Sequence, residues 1–425
     1  MSDTLLTTAD GKPLKAALAR AESRAKRRAF FLVLPLLAFV LITFVLPIGE
    51  MLKRSVSDPR FIEHVDLGNG DVTPIMVNLR AWFEENDASV APDEAAYEAL
   101  VMDLRLLREI KAQGNAGTRI NYEYPGARSM FTSGARKSAK LEPPYQAAVI
   151  DMKDDWADPA LWRAMRDASE RYTWNFYLAA LDRQKDLDGS IVKVNENRAV
   201  YVLLFERTLI LSLLITVLTL ILGFPVAFLL ATLPLRYSNL LMILVLLPFW
   251  TSLLVRTTSW IVLLQSQGVV NDIAVGLGLL EDESRIQMIY NQAGTIIAMT
   301  HILLPFTILP LYSVMRPIDQ SYVRAARSLG ATSWTAFRRI YLPQTVPGIG
   351  AGALLVFILA VGYYITPALV GGSTGQLISN LIAFHMQKSL NWSLAAALAA
   401  LLLGGILLLY WLYDRLVGID NLKLG

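Results

Sequence analysis

The sequence predicts an all-α polytopic membrane protein: six transmembrane helices, with a mainly helical extracytoplasmic insert between the first and the second. Three observations carry this. Hydrophobic residues make up 54% of the chain and mean hydropathy is +0.43, above the ~45–50% apolar content of soluble chains. The excess is gathered into runs of the roughly 20 residues a helix needs to cross a hydrocarbon core. Residues 53–201 break the pattern, carrying charge of both signs and no run of membrane length.

Residues 1–28 are polar and basic, with Lys12, Lys15, Arg20, Arg24, Lys26, Arg27 and Arg28. The first apolar run, Ala29–Leu52, exceeds the roughly 7–15 residues of a signal-peptide core, and no small-residue cleavage pattern follows it. It therefore reads as an uncleaved span. The other runs lie at about 208–233, 240–264, 295–315, 348–369 and 394–416. An even number of spans places both termini on one side. The N-terminal cluster, Arg236, and Arg316, Arg324, Arg327, Arg338 and Arg339 fall together there, and an excess of Arg and Lys marks the cytoplasm. The 53–201 insert is then outside and 417–425 is a short cytoplasmic tail.

Within the insert, Pro92, Asp93 and Glu94 open a helix. Tyr97, Leu100, Val101, Leu104, Leu107 and Ile110 continue it at three- and four-residue spacing, with Gly114 as its stop. Asp158 caps a second helix with Pro159 at its first position, running through Trp162, Met165 and Tyr172. Residues 115–144, rich in Gly, Ser, Pro and Lys, predict a loop. Thr208, Ser212, Thr216, Thr219, Gly223 and Ala227 line one face of the second span. Small residues let helices approach closely in lipid, within the bundle or at a dimer seam. Pro305 and Pro310 predict a kink in the fourth span.

Several functions are excluded by composition. The chain has no cysteine, so it has no disulfide or thiolate site. Its three histidines, His64, His301 and His385, lack metal-ligand spacing. His301 sits in an apolar run, either hydrogen-bonded in a structural role or on a transport path. No basic stripe with interleaved aromatics suggests nucleic acid, no nucleophile–base arrangement suggests an enzyme, and no phosphate-cradling GxxxxGK[ST] loop is present. No cofactor is implied.

Residues 316–347 are too long for a bare connection. Asp319 can cap a short helix reaching Leu329, Gly330 suits a left-handed C-terminal position, and Thr332 or Ser333 can cap a second helix. Trp334, Phe337 and Tyr341 give that helix an apolar face, and Pro343 and Pro347 punctuate before the next span. Such a pair suits seating in another protein's groove.

The stretch from Arg324 through Ala325, Ala326, Gly330 and Ala331 to Phe337, Ile340, Leu342 and Pro343 resembles the EAA loop of ABC importer permeases. Ala325, Ala326, Gly330, Ile340, Leu342 and Pro343 match that pattern at its spacing. Arg324 stands where the pattern has Glu, so docking here rests on shape rather than on that carboxylate. The run Leu246–Arg256, Trp260, residues 268–271 and 222–225 are similar to the spermidine/putrescine permease branch, whose compact members lack the insert. The resemblance implies a permease subunit of the bacterial inner membrane that imports a polyamine-like solute. It implies three partners: a cytoplasmic ABC ATPase dimer docking on the loop, a second homologous permease and a periplasmic substrate-binding protein.

A cation path would be aromatic and polar, since the spans carry almost no carboxylates. Its candidates are Trp250, Thr251, Arg256, Trp260, Tyr363, Tyr364 and Thr366, with Arg256 either snorkelling or gating. Helix packing and an interfacial aromatic belt account for the same residues. Two rival readings are a membrane-anchored sensor or scaffold, for which no cytoplasmic signalling domain is visible, and a stand-alone secondary transporter, which would show repeats or buried charges.

Overall fold

The computed structural model describes residues 14–66, 68–186 and 189–417. Lys12, and all but the first residue of the expected 417–425 tail, lie outside them. Five helices are long and apolar enough to cross a membrane, and a sixth is obtained if one sharply bent pair is counted as a span.

The first unit is one helical run, Leu14–Val40, a π turn Leu41–Val45, and Leu46–Arg54. Its apolar side chains, such as Phe31 and Leu32, are exposed, as a surface facing hydrocarbon is.

In the second unit, Ser55–Gly425, three helices form the membrane core: Tyr201–Thr232, Gln292–Met315 and Leu342–Gly362. Gln292–Met315 is central and runs unbroken through Pro305 and Pro310. The small-residue stripe of the second span is buried against it. A Cβ on Gly223 would sit 3.3 Å from Thr307 and Ile308, and one on Gly352 would sit 3.3 Å from the Thr307 carbonyl. The stripe is therefore internal packing.

Two spans depart from expectation. Residues 240–264 are not one helix: Leu235–Leu246 runs into a 3-10 turn at Leu247–Trp250, and a new helix begins at Leu253. The axis turns by 96°. Pro248 withholds a backbone donor, and Ser252 accepts from the Val255 N–H at 3.2 Å, starting the next helix. Residues 348–369 are displaced as well. Helix is continuous from Ser333 to Gly362, breaks at Tyr363–Tyr364, and resumes as Ile365–Val370. Pro343 and Pro347 therefore lie inside helix rather than before it. A π turn at Phe337–Tyr341, in which the Leu342 N–H reaches the Phe337 carbonyl, precedes Pro343. The second and sixth spans, Tyr201–Thr232 and Trp392–Val417, match their predicted runs, the second starting seven residues earlier than 208.

The insert is a helical domain around Leu79, Leu100, Leu104, Phe131, Trp156 and Met165. Asp93 caps Glu94–Glu109 through the Ala96 N–H, and Asp158 caps Pro159–Ser169 through the Ala160 N–H. The first helix ends not at Gly114 but at Glu109, two residues before Lys111, whose φ is 56°. The second stops at Ser169, leaving Tyr172 beyond it and exposed. Most of the expected 115–144 loop is helix, Gln113–Asn121 and Ala127–Lys137. Two of its glycines serve close approach: a Cβ on Gly117 would lie 2.8 Å from that of Phe131, and one on Gly134 would lie 3.0 Å from Trp156.

The insert is also built into the membrane core. Asp182 accepts from the Val200, Tyr201 and Val202 N–H groups at 3.0, 3.1 and 2.8 Å, capping the second span. Phe176 and Ala180 share a core with Ile378, Leu394, Ala397 and Leu398. Arg60 donates to the Tyr122 hydroxyl at 2.9 Å and to the Leu390 carbonyl at 3.5 Å, and Tyr122 donates to that carbonyl at 2.9 Å. Burial pushes the Asp58 carboxyl up, but Arg60, bonded to it at 2.5 and 2.8 Å, brings it below the usual range, so the cluster stays charged. His385, between the Tyr201 hydroxyl at 3.0 Å and Ser389 Oγ at 2.8 Å, is depressed to about 4 by burial and is neutral.

Asp182→Ala should cost about 1–2 kcal/mol, measured by thermal unfolding in detergent. Because the fold depresses the His385 pKa, its contribution is complete above the unfolded value of 6.5 and is lost as pH falls through about 4. His385→Asn should flatten stability across that window.

Candidate coupling surface and membrane path

Arg316 donates to the Ala231 and Leu233 carbonyls at 2.9 and 3.3 Å, tying the start of the 316–347 segment to the end of the second span. Asp319 accepts from the Ser321 N–H at 2.8 Å and begins the helix Ser321–Ser328. The helix ends in a Schellman motif: the Ala331 N–H reaches the Ala326 carbonyl at 3.1 Å and the Gly330 N–H reaches that of Arg327 at 3.0 Å. Gly330 has φ 90°, a region costly for residues with a Cβ. Of the two candidate caps, Thr332 caps the next helix, its hydroxyl accepting from the Thr335 N–H at 3.2 Å.

The aromatic face does not point outward as a whole. Phe337 stacks between Trp334 and Tyr341 at 5.8 and 5.9 Å and meets Phe224 and Phe228 edge-on at 6.2 and 6.1 Å. Tyr341 is buried. These rings fasten the segment to its own second span. Left exposed are Tyr322 at 57%, Trp334 at 67% and Leu329 at 89%. Arg324, Ala325, Arg327, Arg338, Arg339 and Pro343 are also exposed, and Ala326, Ala331, Ile340 and Leu342 are half-buried. Among the described residues no carboxylate lies within ion-pair distance of Arg324, Arg327, Arg338 or Arg339. The surface combines exposed apolar side chains with exposed guanidinium groups that have no ion-pair partner among the described residues.

The path candidates divide. Trp260 donates to His301 Nδ1 at 3.2 Å, and Thr257 and Thr366 hydroxyls meet at 3.3 Å. Arg256 lies within electrostatic reach of His301 and Tyr363, and its Nε is buried without a partner. Helix Leu253–Leu264, the fourth span and the broken end of the fifth thus bring Arg256, Trp260, Tyr363 and Thr366 together. Trp250, 87% exposed, and Thr251 are both exposed at the third-span break. Tyr364 contributes its carbonyl, which accepts from Asn380 Nδ2 at 2.7 Å, while Ser379 Oγ donates to the Tyr363 carbonyl at 2.9 Å. Sequence reasoning missed Thr257, Ser379 and Asn380. Nothing in a lone hydroxyl or amide marks it as the support of a helix break 16 residues away. Among the described residues no group of His, Asp or Glu could hold a metal ion.

Residues 208–418 match the family described as binding-protein-dependent transport system inner membrane component. The spermidine/putrescine transport system permease protein PotB of Escherichia coli strain K12 is 36% identical over 241 residues, 54% of this chain and 87% of that protein. PotB of Haemophilus influenzae is 36% identical over 217 residues, 51% and 75% respectively. A solved bacterial ABC transporter involved in import of the acidic polysaccharide alginate superposes with TM-score 0.41 at 22% identity, covering 51% of this chain and 80% of that one.

Ser379→Ala would orphan carbonyls of Val361 and Tyr363. It should cost about 1–3 kcal/mol, read as a lower unfolding temperature with unchanged helical circular dichroism.

Proposed function

Since the chain belongs to the inner membrane components of binding-protein-dependent transport systems, in the branch of the spermidine/putrescine permease, we propose that it is the permease subunit of an ATP-driven importer for a small polyamine-like solute. The observation that carries the mechanism is the helix continuous from Ser333 to Gly362. At about 1.5 Å per residue it spans ~45 Å. One end carries the exposed Trp334, and the other ends at Tyr363, beside Arg256 and Thr366. Displacement at the surface end reaches the path without an intervening loop.

In this reading the 316–347 segment is cytoplasmic and seats Leu329, Tyr322 and Trp334 in a cleft of a partner ATPase, with Ala325 and Ala326 permitting close approach. This chain has no phosphate loop, so nucleotide is hydrolysed by that partner. Nucleotide on one side and a loaded periplasmic binding protein on the other stabilise different states of the permease, as a driven change requires. A second, homologous permease chain completes the pore. The insert lies outside the membrane and both chain ends lie inside. Arg256, Trp260, Tyr363 and Thr366 line the route. Aromatic faces hold ammonium groups by cation–π attraction, worth about 0.5–2 kcal/mol each. The identity with PotB supports the polyamine class.

Gly330→Val should abolish uptake at normal membrane level, by straining the Schellman turn. Normal uptake in that variant counts against the coupling role. A cysteine at Ala326, unique in this cysteine-free chain, should crosslink to the co-purifying ATPase, and absence of any such product overturns the docking.

A further inference from the structure

The insert contains four tryptophans, and three are buried: Trp82 at 8% exposure, Trp156 at 1% and Trp162 at 4%. The fourth, Trp174, is 70% exposed, and Tyr172 beside it is 61% exposed. We propose that the corner formed by Tyr172 and Trp174 is a membrane anchor that seats both rings among the lipid headgroups of the outer leaflet. The proposal rests on the membrane-spanning reading of the helices and on the outward placement of the insert. It does not depend on what is transported.

The corner is held in place rather than free. Thr173, between the rings, is buried. Its N–H donates to the Val56 carbonyl at 2.7 Å, and its hydroxyl accepts from the Asn175 N–H at 3.1 Å. Trp174 leans on Tyr177 at 5.5 Å. One observation sets its depth. The short helix Asn175–Ala180, which Trp174 precedes, packs through Phe176 and Ala180 on Leu394, Ala397 and Leu398, in the first two turns of the sixth span, with Tyr201 and Phe205 of the second span alongside. Leu398 lies six residues into its helix, about 9 Å along the axis, close to the thickness of one headgroup layer.

Indole and phenol rings combine an apolar body with a polar edge and concentrate at this boundary. Arg171, 62% exposed and 3.6 Å from Glu63, is placed to reach a lipid phosphate with its free donors. Leu181, whose N–H donates to the carbonyl of the same Tyr177 at 3.2 Å, is exposed as well, as are Val202 and Leu203 on the first turn of the second span. Continuity with the lipid-facing surface favours lipid as the occupant over a soluble partner.

The chain lacks cysteine, so Trp174→Cys and Tyr172→Cys can each carry a single nitroxide in the full chain reconstituted in phosphatidylethanolamine–phosphatidylglycerol liposomes. Oxygen and a water-soluble nickel chelate report depth, with Leu213→Cys as the lipid standard and Glu98→Cys as the aqueous standard. The expected result is loss of most nickel access relative to position 98 with oxygen access kept, at both positions. Nickel access equal to that at position 98 overturns the anchor, as does protection from both reagents, which would mean a protein covers the corner. An impermeant maleimide applied to intact cells should label Glu98→Cys. Failure there overturns the sidedness of the topology, while the depth ratio still judges the anchor.

Discussion

Inside a bilayer every backbone N–H and C=O must find a partner within the protein, because no water is there to supply one. The membrane core of this chain is organised by that constraint. Where helices are continuous, the ladder satisfies itself. Where they break, side chains take over: Ser252 starts the helix after the third-span bend, and Ser379 and Asn380 hold the carbonyls released at Tyr363 and Tyr364. Both breaks cost hydrogen bonds that a straight helix would have kept. Arg256 and Trp260, just after the first, stand beside Tyr363 and Thr366, at the second. Departure from regular helix and concentration of polar chemistry coincide.

The apolar runs made the order of the membrane segments legible, because hydropathy reads the solvent directly, although the run at 240–264 is a bent pair of helices rather than one span. Caps were legible too, as Asp93, Asp158 and Asp319 each act within three residues of themselves. What could not be read depended on distant neighbours. Pro343 and Pro347 look like terminators locally, yet the π turn before them and the packing of Phe337 on Phe224 and Phe228 carry the helix through. The glycines at 117 and 134 look like loop residues, yet they are points of close contact, Gly117 with Phe131 and Gly134 with Trp156 and Leu104. In the candidate site, residue types pointed to Arg256, Trp260, Tyr363 and Thr366, but only the fold distinguishes them from Trp250, which is 87% exposed.

The aromatic residues of the 316–347 segment divide their labour. Phe337 and Tyr341 bury inward and make the segment one body with the second span, while Trp334, Tyr322 and Leu329 remain outside it. The Arg at 324 alters the charge of that outer face without altering its shape, which Gly330 and the Thr332 cap determine.

The bonds from Arg60 and Tyr122 to the Leu390 carbonyl join residues 330 and 268 positions apart. A ribosome delivers the insert long before it delivers Leu390. This seam of the domain can close only once that last segment has been made. Completion of the insert therefore depends on the far end of the chain, and a product cut short before Leu390 would leave Arg60 and Tyr122 without that carbonyl.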